Sequence, residues 1–96
     1  MHADVVGEWG STDASAPHVI LTADGRLHGS DGCNRMLGQW QLAGGKVVFG
    51  PIATTRRFCQ GVDTSLSRMR TARPSAQGLQ FFDAEDHLLA TLSRSR

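Results

Sequence analysis

Two cysteines, Cys33 and Cys59, carry the sharpest chemistry in this chain. Cys33 stands between Gly32 and Asn34, and Cys59 follows Phe58. A thiol pair can serve as a disulfide staple, as two packed apolar groups, or as activated thiols for redox or nucleophilic work. A bridge here would close a long loop. It would contribute roughly 3.5 kcal/mol in the chain-entropy model, a large share of a small domain's stability. Activation instead needs a lowered thiol pKa, and Arg35, Arg56 and Arg57 carry positive charge that could supply it. A Cys33–His28 nucleophile and base can be drawn, but no third group stands out to orient the imidazole. Disulfide, packed thiols and thiol chemistry all stay open on these residues.

The arginines are the second candidate. Residues 56–73 hold Arg56, Arg57, Arg68, Arg70 and Arg73 against the single Asp63, a net +4 in a chain whose total is +1. Such a patch suits phosphate, nucleic acid or an acidic partner, or else is a solvated helix face. A nucleic-acid platform would interleave exposed aromatics with the arginines. Phe58 is the one aromatic in that segment, so nucleic acid is not expected.

The histidines His2, His18, His28 and His87 are scattered, with no i, i+4 pair and no C-x₂-C beside them. No metal or cofactor is expected. Gly29-Ser30-Asp31-Gly32 lacks the Lys-Ser/Thr of a phosphate loop. It reads as a sharp corner where backbones cross closely and Asp31 or Asn34 bonds nearby amides. Nothing assembles into a catalytic constellation, and the chain is not expected to be an enzyme.

The elements that must position these residues fit in one domain of 96 residues. Two cysteines exclude a disulfide-dense scaffold and a four-cysteine metal site. No apolar run reaches the length of a membrane span or a signal-peptide core, and Met1–Asp4 carries no basic start. The expected location is cytoplasmic as written, or periplasm or cell envelope if a signal has been removed.

Glycines separate short apolar stretches, which reads as turns between strands. Expected strands are 5–9, 18–22, 26–29, 38–42, 46–49, 78–82 and 87–92. Asp24-Gly25 predicts a type I′ turn and Gly44-Gly45 a second hairpin turn. Alternation puts Leu27, Trp40, Val47, Phe49, Leu79 and Phe81 inward. Arg26, His28, Gln39 and Gln41 face outward. Phe82 alternates away from the core, which leaves it ligand-facing, against a helix, or exposed. Asn34–Leu37 is read as a single helical turn. Val62, Leu66 and Met69 at i, i+4 and i+7 predict the one true helix, stopped by Pro74. Residues 1–4 and 93–96 are expected to fray. The sum is a mainly β (α+β) domain. It is an antiparallel curved sheet or incomplete barrel of about seven short strands, its open side closed by one packed helix.

Three stretches resemble the META domain family, which includes the heat-inducible lipoprotein HslJ. Residues 24–35, Asp-Gly-Arg-Leu-His-Gly-Ser-Asp-Gly-Cys-Asn-Arg, are similar to that family's most characteristic hairpin and corner. Gly38-Gln39-Trp40-Gln41-Leu42 is similar to its next strand, with Trp40 where a tyrosine is usual. Residues 48–59, ending Thr54-Thr55-Arg56-Arg57-Phe58-Cys59, are similar to the segment that carries its second cysteine. The family's helical glutamate is missing here. The resemblance implies Gly29, Gly32, Cys33, Asn34, Thr55, Arg56 and Cys59 as motif positions, structural first and a binding site second. It also implies a non-enzymatic HslJ-like module in heat shock, stress response or cell-envelope function. Its partner would be a protein or a small apolar ligand. Thiol-based redox work by Cys33 and Cys59, and anion binding through Arg56–Arg73, are the alternatives.

Overall fold

The computed structural model describes residues 5–11, 13 and 15–95. His2 and the expected loose start over residues 1–4 lie outside them, as does Arg96. Among the described residues nine strands form in chain order, two more than the seven expected because residues 53–54 and 71–75 also pair: β1 Gly7–Gly10, β2 His18–Leu21, β3 Arg26–Ser30, β4 Arg35–Ala43, β5 Lys46–Phe49, β6 Ala53–Thr54, β7 Thr71–Ser75, β8 Gly78–Phe82 and β9 Leu88–Leu92. All pairings are antiparallel. The sheet runs β1-β2-β3-β4-β5-β7-β8-β9, and β6 pairs with the first part of β4.

The period-2 pattern fixes which side of each strand is buried. Leu27 is buried while Arg26 and His28 are exposed; Val47 and Phe49 are buried beside exposed Lys46. Trp9, Trp40, Phe49 and Phe81 all enter one core, with Phe49 and Phe81 stacked at 6.0 Å. Gly44 and Gly45 both have positive φ, the backbone of the predicted two-residue turn. The Asp24-Gly25 turn differs. Only Gly25 has positive φ, and its N–H bonds Thr22 O while Thr22 N–H bonds Arg26 O. That is a three-residue loop with a left-handed glycine, one residue longer than a type I′ turn.

The expected helix over 62–73 does not form. Ser65–Arg68 makes one short 3-10 turn, and the chain then becomes β7, so the described residues contain no α-helix. Tertiary pairing overrides the apolar spacing. Arg70 N–H bonds Phe82 O, and Phe49 N–H bonds Arg70 O, which draws the segment into the gap between β5 and β8. Leu66 and Met69 still bury their side chains in the core. Pro74 is tolerated inside β7 because β5 reaches only Thr71 and Ala72. Asn34–Leu37 is likewise not a helical turn; β4 begins at Arg35 and pairs with both β3 and β6.

Closure comes from the tail. Ser93–Ser95, expected to fray, instead pairs with β1. Gly10 N–H bonds Ser93 O, Ser95 N–H bonds Glu8 O, and Trp9 bridges Arg94. The Arg94 guanidinium lies 4.2 Å above the Trp9 ring and donates to Val6 O. The result is a mainly β, nearly closed barrel-like sheet, in which the tail and not a helix joins the two edges.

Candidate functional site

The corner between β3 and β4 brings the sequence-predicted cysteines together. Cys33 and Cys59 form a disulfide with Cα atoms 5.8 Å apart, bridging 26 positions of sequence. Asp31, almost fully buried, shapes the turn: its Oδ1 accepts the N–H groups of Cys33 and Asn34 at 2.9 and 2.7 Å. Gly32 has φ +104°, and a Cβ there would lie 3.0 Å from Ser15 O, so this corner needs glycine.

Asn34 holds the other side. Its Oδ1 accepts from the Thr55 hydroxyl at 2.9 Å and from Arg57 N–H at 2.5 Å, and its Nδ2 donates to Arg57 O at 3.1 Å. Thr55 in turn receives Arg35 N–H at 3.0 Å on its hydroxyl and donates its own N–H to Arg35 O. Asn34, Thr55 and the disulfide therefore clasp the loop after β6 against the start of β4. On top of this clasp Arg56, Arg57 and Phe58 are exposed, Phe58 at 89%.

The outer faces of β2, β3 and β4 meet the clasp in an open cleft of about 590 Å³, lined by His18, His28, Ser30, Arg35, Leu37 and Arg57 among others. Sequence reasoning placed His28 outward but did not join it to His18 and Arg35. The signal was the register, because the three stand on different strands.

The arginines do not make one patch. Arg57 lines the cleft at the clasp, whereas Arg68 and Arg70 line another, opposite Asp83 and Glu85. Arg73 lies 4.5 Å over the Phe82 ring, which accounts for that outward aromatic. His28 and Cys33 line the same cleft, but Cys33 is oxidised, so the drawn nucleophile does not exist in this state. His87 faces Asp83 at 3.3 Å and Glu85 at 3.8 Å in the β8–β9 turn, all within metal-ligand reach of one another. Asp83 is already committed there: its Oδ1 accepts the N–H groups of Glu85 and His87. The bond from His87 N–H is the largest cause holding its carboxyl below the usual value.

A family model described as the META domain matches residues 4–95, nearly the whole chain. The chain belongs to the META domain family. No curated protein matches it, and neither does any solved structure. The META motif positions now have physical roles. Gly32, Cys33, Asn34, Thr55 and Cys59 build the clasp. Gly29 lets β2 and β3 approach, since a Cβ there would lie 2.2 Å from His18 O. Thr55 and Arg56 are both exposed motif positions; Thr55 is tied into the clasp by its hydroxyl, and Arg56 stands beside it.

Proposed function

We propose that this META domain works by binding a partner protein, without a catalytic step of its own, and that the clasped loop Thr55–Cys59 is its contact end. Phe58 carries the reading: it is 89% exposed on a loop held at Thr55, Arg57 and Cys59. Burying a phenylalanine is worth about 1.5–3 kcal/mol, and a loop that is already ordered loses little entropy on docking. Exposed Arg56 and Arg57 beside it suit carboxylates at the rim of an apolar pocket on the partner. The bonded sulfurs favour a non-catalytic role over thiol chemistry, since neither is a thiolate in this state. A disulfide in so small a domain also suits an oxidising compartment, which supports an envelope setting; a role in stress response rests on the family resemblance alone.

The test is a photo-crosslinking side chain at position 58 in cells of the native host, with position 77 in the exposed β7–β8 turn as control. A discrete protein adduct from 58 and none from 77 is expected. No adduct from 58, or the same adducts from both, overturns the reading.

A further inference from the structure

The cleft on the outer face of the sheet has a composition that the binding loop does not explain. Register places His18 opposite Ser30, and Ser30 opposite Arg35, so these three form one row across β2, β3 and β4. The next row is Ile20, His28 and Leu37. Directly opposed side chains on one face stand about 5 Å apart at Cβ. Arg57 closes the end from the clasp.

Four observations define what fits. Among the described residues the cleft lining contains no carboxylate. Arg35 and Arg57 form no ion pair among the described residues, unlike Arg26, which meets Asp24. Hydrogen-bond donors remain uncommitted. Ser30 Oγ accepts from Gly32 N–H and still has its own proton to give, and His18 Nδ1 is buried with no hydrogen-bond partner among the described residues. Finally, Leu37 is 53% exposed in the middle of this polar frame. The volume, about 590 Å³, lies in the range of small-molecule sites.

We infer that this cleft binds a small organic oxyanion, a carboxylate or a phosphate monoester with an apolar body. The oxyanion sits on the Arg35 guanidinium, whose planar fork matches two oxygens at once, with Ser30 and the imidazoles as further donors. The apolar body lies along Leu37. The site does not use Phe58, and although it shares Arg57 with the contact loop, loss of the protein partner would leave it intact.

Amide NMR titration with phenyl phosphate, benzoate and neutral benzyl alcohol tests this. Either anion, or both, should shift Ser30, Arg35 and Leu37 and saturate by about 10 mM, while benzyl alcohol should not. Binding of one anion only assigns the oxyanion class; binding of both assigns the shared chemistry. Arg35→Gln should weaken binding by about tenfold or more, and Arg26→Gln, outside this cleft, should not. If Arg35→Gln does not fold, Leu37→Glu carries the same expectation, since it sets a negative charge beside the site. No saturation with either anion overturns the inference. So does equal binding of benzyl alcohol, or of inorganic phosphate as tightly as phenyl phosphate, or undiminished binding by the variants.

Discussion

The side chain of Asn34 pairs with both backbone groups of Arg57, accepting its N–H at 2.5 Å and donating to its carbonyl at 3.1 Å. One carboxamide thus does for Arg57 what a neighbouring strand would do, at a place where no strand runs. Asn34 is itself buried, so the pairing is shielded from competing water.

Asn34→Ala should therefore cost about 2–3 kcal/mol, because Arg57 and Thr55 lose their partners in a part-buried site. Asn34→Asp should cost nearly as much, since a carboxylate accepts but cannot donate to Arg57 O. Urea unfolding of the two variants checks both, and a loss under about 0.5 kcal/mol for Asn34→Ala would remove the clasp from the stability account.

Cleavage of the Cys33–Cys59 bond should lower stability by roughly 3.5 kcal/mol. The double variant Cys33→Ser/Cys59→Ser should behave alike. Amide exchange should quicken first at Thr55 and Arg57, whose N–H groups are held by the clasp. If exchange there is unchanged, Asn34 fixes the loop without the disulfide.

Gly29 and Gly50 make an internal control for close backbone approach. A Cβ at Gly29 would lie 2.2 Å from His18 O and 3.0 Å from Val19 Cα, both backbone atoms, whereas a Cβ at Gly50 meets nothing within 4 Å. Gly29→Ala should cost at least about 2 kcal/mol or prevent folding, and Gly50→Ala should be near neutral. Thermal unfolding of the pair distinguishes them.

Asp83 should leave a mark on acid stability. Its carboxyl is held below the usual value, chiefly by the bond from His87 N–H. A folded-state pKa below the unfolded one stabilises the fold above the unfolded value, and that contribution disappears as pH falls through the folded one. Asp83→Asn keeps an acceptor oxygen but does not titrate. Between pH 7 and about pH 3 the natural chain should lose more stability than Asp83→Asn, as measured by the urea midpoint at each pH. Asp24, lowered chiefly by the Thr22 hydroxyl, and Asp63, lowered chiefly by Ser65 N–H, act in the same direction and remain in both proteins.

Arg94 should prove a structural residue despite its place near the end of the chain. Arg94→Ala removes the cation over the Trp9 ring and the bond to Val6 O, at an expected cost of about 1–2 kcal/mol. Arg94→Lys should recover only part of this, because an ammonium lacks the planar stack. Trp9 fluorescence together with urea unfolding reads both effects.

Much of the candidate site was legible because its signals are local. The corner predicted over Gly29–Gly32 forms slightly later, at residues 31–34, because Gly29 and Ser30 still pair within β3. The resemblance to META domains marked Thr55 and Cys59 at the other half of the clasp, though only the fold shows that Asn34 joins them. The cleft was not legible. His18, Ser30 and Arg35 are ordinary outward positions one at a time, and they become a row only through pairing register.

The same division holds for the whole chain. Local sequence set the buried side of most of the seven expected strands, and where most turns fall, but not the strands Ala53–Thr54 and Thr71–Ser75. Alternation at period 2 is a property of consecutive residues, and glycine's freedom at positive φ is a property of one. Tertiary structure alone decided the fate of residues 62–75 and 93–95. Their spacing and composition favour a helix and a loose end, but backbone donors and acceptors on β5, β8 and β1 stood unpaired beside them. Leaving those groups unsatisfied in a small core costs more than the local preference is worth. So Arg70 pairs with Phe49 and Phe82, Ser95 pairs with Glu8, and the barrel closes on its own tail.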